Sequence, residues 1–132
     1  MFRCIKMSDL TIFDSSLDSL SIIKPTITTL ILLCCEHLVM LEALPPGLIT
    51  LRIRDCPLRT LPPLPASLQE LYIEDCPLIC LPPLEHTSLQ TLWCKNTCLT
   101  GLPTVPSTLE YLEVDEIMVN SLSTLFHTIN LQ

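Results

Sequence analysis

Apolar and polar residues follow a pattern that recurs along the whole chain. Residues 68–78 read L-x-x-L-x-I-x-x-C-x-L, and the same arrangement of apolar positions begins again every 20 or 21 residues. Its copies start at Met7, Ile27, Leu48, Leu68, Leu89 and Leu109. Because a single unit of this size cannot bury its apolar face alone, the spacing predicts stacked repeats that share one core. We therefore predict a single domain over residues 1–132, with about six repeats from residue 7 and a short N-terminal cap at 1–6.

Each repeat divides into a strand and a return segment. In the segment LQELYIE, Leu71 and Ile73 alternate with Glu70, Tyr72 and Glu74, and this period of two predicts a half-buried strand. The return segments carry most of the 12 prolines, which disfavour helix. The sequence thus predicts a leucine-rich-repeat solenoid of the α/β horseshoe class. It is expected to be mostly parallel β-strands, with an extended, polyproline-like or 3₁₀ convex side and little α-helix.

The unit LPPLPASLQELYIEDCPL, residues 61–78, resembles the LPX-type leucine-rich repeats of the YopM- and IpaH-like bacterial effectors. The resemblance covers residues 7–132 and implies a protein that a specialised secretion system delivers into host cells, where it binds host proteins. The chain departs from the family at the loop position that usually holds Asn, which is here Ser15, Cys35, Cys56, Cys76, Thr97 and Ile117. We expect no second domain, and therefore no residues that could carry the ubiquitin-ligase activity of the IpaH-like members.

Acidic residues outnumber basic ones by 14 to 7, which gives a formal net charge of −7. This balance argues against nucleic acid or an anionic membrane surface as a partner. The most apolar run, ITTLILLCC, is too short to cross a bilayer, and MFRCIKMSDL lacks the long apolar region of a signal peptide. We expect a cytoplasmic protein with no signal peptide and no membrane insertion, and the resemblance places it in the host cytosol after secretion.

The eight cysteines allow three interpretations. We favour reduced, buried thiols, with Cys35, Cys56 and Cys76 stacked at the loop position; neighbouring thiols there are also close enough for a disulfide to be considered. A zinc site is the third interpretation, but the repeat places Cys76, Cys80, Cys94 and Cys98 at positions that do not converge. We expect no metal, no cofactor and no catalytic residue, because no hydrolase or phosphate-loop motif appears. Cys34, on the exposed side of a strand, is the best candidate for thiol chemistry.

The polar side of the strands carries the candidate functional residues. Counting the first apolar residue of a repeat as one, positions two, three, five, seven and eight should face the concave surface, and ten of the 14 acids fall there against three of the seven bases. Position five brings Arg52, Tyr72 and Trp93 side by side, which are residue types enriched in binding hot spots. We expect Arg52 to stack on Tyr72, and Tyr72 on Trp93. The predicted protein-binding residues are Arg52, Tyr72, Trp93, Glu70, Glu74, Asp75, Glu113, Asp115, Phe13, Ile31 and Leu33.

These observations favour a non-enzymatic protein-interaction module, a bacterial effector that binds a host protein with a basic surface. Cross-strand packing that merely stabilises the sheet is the alternative reading of the position-five row. The whole chain has two further alternatives. One is the substrate-recruiting repeat domain of an enzyme, such as a ubiquitin ligase, whose catalytic part is absent. The other is a self-assembling repeat protein, and the oligomeric state stays open.

Overall fold

The alternating pattern produces short strands joined by proline-rich segments. A computed structural model describes residues 2–3, 8–13, 16, 19–20 and 23–115. These residues contain strands and turns and no helix; the strands are β1 (Phe2–Arg3), β2 (Asp9–Phe13), β3 (Ser19–Leu20), β4 (Thr29–Leu33), β5 (Met40–Leu41), β6 (Thr50–Arg54), β7 (Glu70–Glu74), β8 (Thr91–Lys95) and β9 (Tyr111–Val114). Ser15 and Ile117, the loop positions of the first and last repeats, and the return segment of the last repeat lie outside the described residues.

One sheet organises the molecule, with strand order β1-β2-β4-β6-β7-β8-β9. From β2 onward every neighbouring pair is parallel, whereas β1 pairs antiparallel with β2. The register matches equivalent positions of successive repeats, so that Leu51 lies opposite Leu71 and Leu71 opposite Leu92. The described chain is therefore a parallel β-solenoid, and the predicted parallel stacking of strands one repeat apart is confirmed.

The return segments remain extended until a single turn leads into the next strand. The N–H groups of Leu48, Leu68 and Leu109 each donate to a proline carbonyl three residues earlier, at 3.1, 3.1 and 3.2 Å. Proline lacks the N–H that a continuing helix would need, so one turn closes and the chain then extends. Two return segments also pair, because β3 lies parallel to β5 in a second, two-stranded sheet. The expected extended, non-helical return path is confirmed for the described residues.

The core consists of columns of identical or similar aliphatic side chains. Leu30, Leu51, Leu71 and Leu92 have no exposed surface and form one column, with an equally buried column two residues later in each strand. Each such leucine contributes about 2 kcal/mol through removal of its apolar surface from water. The loop-position thiols of Cys35, Cys56 and Cys76 are buried as well, so the predicted column of packed cysteines is confirmed.

In four successive repeats, one residue turns the chain off the strand in a left-handed conformation. Cys34, Asp55, Asp75 and Asn96 have φ angles of 53° or 54°. Asp and Asn tolerate this region better than other non-glycine residues, which accounts for three of the four. The N–H of Cys34, Asp55 and Asp75 donates to a carbonyl of the following repeat, at 2.9, 3.2 and 3.1 Å. Position eight, which we had assigned to the binding surface, therefore also has a structural role at the turn.

Candidate functional site

The side chains of β2, β4 and β6–β9 that point away from the core form one surface, here called the strand face. Its central row follows the register: Ile31 lies opposite Arg52, Arg52 opposite Tyr72, and Tyr72 opposite Trp93, which in turn lies opposite Glu113. These side chains are exposed or half-buried, whereas the residues on either side of them in each strand are buried, except for the half-buried Val114 in β9. Parallel in-register stacking thus brings position five of every repeat into one line.

Arg52 and Tyr72 form a stacked pair at the middle of this row. The guanidinium carbon of Arg52 lies 4.2 Å from the centroid of the Tyr72 ring, so the expected stack is confirmed. The Tyr72 hydroxyl donates to Oε2 of Glu70 at 3.0 Å. Burial, followed by this hydrogen bond, raises the pKa of Tyr72 above its usual value, so the phenol stays protonated and remains a donor.

Trp93 stacks on Tyr111 and not on Tyr72. The two ring centroids are 6.3 Å apart and the ring planes differ by 5°. Tyr111 lies two residues before Glu113, the register partner of Trp93, so the two rings are diagonal neighbours across β8 and β9. The expected Tyr72–Trp93 stack is wrong, because the Trp93 ring leans towards the next repeat. Tyr111 was missed, although its aromatic type beside Trp93 on an adjacent strand was a signal for this contact.

Several of the predicted acidic binding residues already accept hydrogen bonds from the chain. Glu70 accepts from the hydroxyls of Thr50 and Tyr72, both at 3.0 Å. Glu113 accepts from Lys95 at 3.4 Å and from Tyr111 at 3.5 Å. The oxygens of both carboxylates are therefore partly occupied at contact distance.

Asp115 holds the turn of the preceding repeat. Its carboxylate accepts the N–H of Asn96 at 2.7 Å, the N–H of Thr97 at 3.1 Å and the Thr97 hydroxyl at 3.1 Å. Burial acts to raise the pKa of Asp115, but the hydrogen bonds from Thr97 and Asn96 outweigh burial and lower it below its usual value. These hydrogen bonds therefore stabilise the ionised form of the Asp115 carboxylate, and the carboxylate in turn satisfies backbone N–H donors that the turn leaves unpaired.

Charged and polar side chains also contact one another at the C-terminal ends of β4, β6, β7 and β8. Nε of Arg54 lies 3.5 Å from Oδ2 of Asp55 and 3.7 Å from Oδ2 of Asp75. Asn96 donates from its amide to Oδ1 of Asp75 at 2.7 Å, and the Cys34 thiol lies 3.8 Å from Oδ2 of Asp55. These groups are largely exposed, so each pair contributes little stability, on the order of 0–1 kcal/mol. Asp75 is therefore engaged in contacts with the turns of the preceding and following repeats.

An open depression of about 350 Å³ lies on the strand face. The side chains around it come from four successive strands: Leu33, Arg52, Arg54, Tyr72, Glu74 and Trp93. The structure thus brings five of the predicted site residues together around one concavity. Ile31 and Phe13 extend the apolar end of this surface, since Ile31 is the register partner of Arg52 and Phe13 that of Leu33. Glu113 and Asp115 lie further along the sheet, on or just after β9.

The cysteines give no sign of a metal site in the described part of the chain. Cys76 and Cys94 are buried in the core while Cys80 and Cys98 are exposed, and no group of three His, Cys, Asp or Glu side chains there is placed to hold an ion. Burial raises the pKa of Cys56 and of Cys94 to about 12, which keeps both thiols protonated and unreactive. Cys34 is exposed, as expected.

No known protein-family model matches the chain, and no curated protein is similar to it in sequence. Among the residues that the structure describes, no helix has the length and apolar character needed to cross a membrane.

Proposed function

We propose that this chain is a leucine-rich-repeat protein of the LPX type that binds a protein partner through its strand face, which is the concave surface of a horseshoe. The parallel register of successive repeats, the proline-rich return segments and the buried loop-position thiols support the repeat class. The thiols of Cys35, Cys56 and Cys76 approach backbone carbonyls at 3.5, 3.3 and 3.2 Å, where the family's Asn would donate.

The observation that carries the binding proposal is the row of flat side chains beside the depression. Arg52 with Tyr72, and Trp93 with Tyr111, form two stacked pairs on adjacent strands. Large, rigid side chains of these types dominate the energetics of protein interfaces, because each covers much area with few rotatable bonds. Packing within the sheet accounts for the contacts in these pairs, but it does not account for the open concavity that Arg52, Tyr72 and Trp93 border.

The partner has a basic surface, in this proposal, because the chain carries a net charge of −7. Hydrogen bonds that lower the pKa of Asp115 keep its carboxylate ionised, and the acids together create a negative field that accelerates encounter with a basic protein. The function is non-enzymatic. The family resemblance favours action as a bacterial effector in the host cytosol, and the partner is then a host protein.

The test is capture of partners from host-cell lysate by the immobilised protein and by the double variant Tyr72→Ala/Trp93→Ala. Two hot-spot truncations of about 2 kcal/mol each lower affinity roughly 100-fold or more, so a partner captured by the wild type should be lost. The matched control is Met40→Ala/Ile79→Ala, which truncates two residues of the return segments that are 50% and 48% exposed. Circular dichroism and urea unfolding check that both variants fold.

Retention of the same partners by the Tyr72/Trp93 variant, with its fold intact, would sink the site assignment. Loss of capture by the Met40/Ile79 control alone would move the binding surface to the return segments. For a captured partner, the association rate should fall as salt is raised, because screening weakens the acidic field. An association rate that is independent of salt would contradict the basic-partner part of the proposal.

A further inference from the structure

Arg52 differs from the other basic residues of the strand face in its partners. Arg54 lies between the carboxylates of Asp55 and Asp75, and Lys95 pairs with Glu113. Within the described residues, no carboxylate lies within ion-pair distance of Arg52; its guanidinium lies over the Tyr72 ring instead. Stacking occupies one face of the guanidinium and leaves the N–H donors at its edge available for a planar acceptor.

The surroundings of Arg52 limit what such an acceptor can be. The depression has apolar side chains at its two ends, Leu33 on β4 and Trp93 on β8, and these ends are three strand spacings apart. With a spacing of about 4.8 Å and an offset of two residues along the strand, the ends are about 16 Å apart, which an extended peptide covers with about five residues. Glu74, also at the depression, repels a second negative charge.

We propose that the depression binds a short internal segment of the partner in which one acidic side chain pairs with Arg52 and two flanking apolar side chains contact Leu33 and Trp93. The inference rests on the proposed function and names the chemistry of the anchor. The acidic field of the whole chain and the acidic anchor are compatible, because the field acts at long range on a basic surface, whereas Arg52 acts only at contact. A bidentate arginine–carboxylate pair also fixes the position of the segment across the strands.

The test uses two five-residue probes, acetyl-Leu-Ser-Glu-Ser-Phe-amide and the same peptide with Gln in place of Glu. Trp93 is the only tryptophan of the chain, so its fluorescence and its indole N–H resonance report directly on the depression. The Glu peptide should bind about tenfold more tightly than the Gln peptide, because a hydrogen bond to a charged group is stronger than one to an amide. Both peptides should shift the Trp93 resonance.

The variant Arg52→Gln should bind both peptides equally, at the weaker affinity. Its matched control, Arg59→Gln, makes the same charge change on an exposed residue of a return segment and should keep the tenfold preference. Arg52→Lys retains the charge without the planar fork, so it should recover only part of the preference. Unfolding in urea checks that each variant is folded.

Equal binding of the two peptides to the wild type, or no shift of the Trp93 resonance by either peptide, would overturn the acidic anchor. The same holds if Arg59→Gln abolishes the preference as completely as Arg52→Gln does. None of these results affects the proposed function, which is decided separately by the Tyr72/Trp93 capture experiment. Loss of the peptide preference in Arg52→Gln alone, with the control unchanged, supports the anchor.

Discussion

The thiol of Cys56 provides a test of how the loop position holds the repeats together. Its sulfur lies 3.3 Å from the carbonyl oxygen of Arg54 and 3.8 Å from that of Leu32, in a buried site. The single S–H proton cannot satisfy both acceptors, whereas an Asn amide at the same place has two N–H donors. Comparison of Cys56→Asn, which can donate hydrogen bonds, with Cys56→Val, which can only fill the space, therefore separates the two roles of the thiol.

The expected magnitudes follow from this geometry. Cys56→Val keeps an apolar side chain of similar size but removes the thiol donor. The Arg54 carbonyl still accepts the N–H of Cys34 at 2.9 Å, so the cost should be about 1 kcal/mol. Cys56→Asn gains about 1 kcal/mol from a second hydrogen bond and loses a similar amount through burial of its amide, so its stability should stay within about 1 kcal/mol of the wild type. The stability of the Asn variant should therefore exceed that of the Val variant.

Urea unfolding followed by circular dichroism measures the relative stability of the two variants. The unfolding midpoints can be compared directly if the slope of the free energy of unfolding against urea concentration is unchanged. Cys80→Val is the control, because Cys80 is exposed and its replacement should change the free energy of unfolding by less than about 0.5 kcal/mol. If the Val variant is as stable as the wild type and the Asn variant is the least stable, the position works by packing alone, and the hydrogen-bonding role argued here for the loop thiols is wrong.

Three further predictions concern titration and reactivity. Hydrogen bonds lower the folded-state pKa of Asp115, so its contribution to the free energy of unfolding should be present above about pH 4 and lost as pH falls below that value. Asp115→Asn should cost about 1 kcal/mol at pH 7 and should reduce the loss of stability at acid pH. Burial raises the pKa of Cys56 and Cys94 from 9.0 to about 12, so the folded state retains protons that the unfolded chain releases. The free energy of unfolding should therefore fall above about pH 9, by about 1.4 kcal/mol per pH unit for each of the two thiols. The fall should be less steep in Cys56→Val. In the native state a thiol reagent should label the exposed cysteines and leave the buried ones unmodified until urea is added, which peptide mapping checks. Among the cysteines that the structure describes, the exposed ones are Cys34, Cys80 and Cys98.

The sequence was a good guide to the scaffold because the scaffold depends on residue type and spacing alone. Leu71 and Ile73 alternate with polar neighbours, so their burial follows from the period of a strand. Proline excludes helix from the return segments whatever surrounds it. The left-handed turn had a partial signal in Asp55, Asp75 and Asn96, but Cys34 adopts the same φ without being a residue type that favours it.

The contacts on the strand face were harder to predict because they depend on side-chain rotamers. Residue types and register favoured the stack of Arg52 on Tyr72, and it is present. The direction in which the Trp93 ring leans is not encoded in spacing, so its stack on Tyr111 became visible only in three dimensions. Similarly, a count of acids on this face could not reveal that Glu70 already accepts two hydroxyl donors.

Binding of a protein through the strand face is the central claim, and hydroxyl-radical footprinting tests it most directly once a partner has been captured. Tyr72 and Trp93 are reactive towards hydroxyl radicals, and so is Met40, which is 50% exposed in a return segment and serves as the internal control. We predict that the partner protects Tyr72 and Trp93 from oxidation and leaves the oxidation of Met40 unchanged. Protection of Met40, with Tyr72 and Trp93 oxidised as fast as in the free protein, would contradict the account.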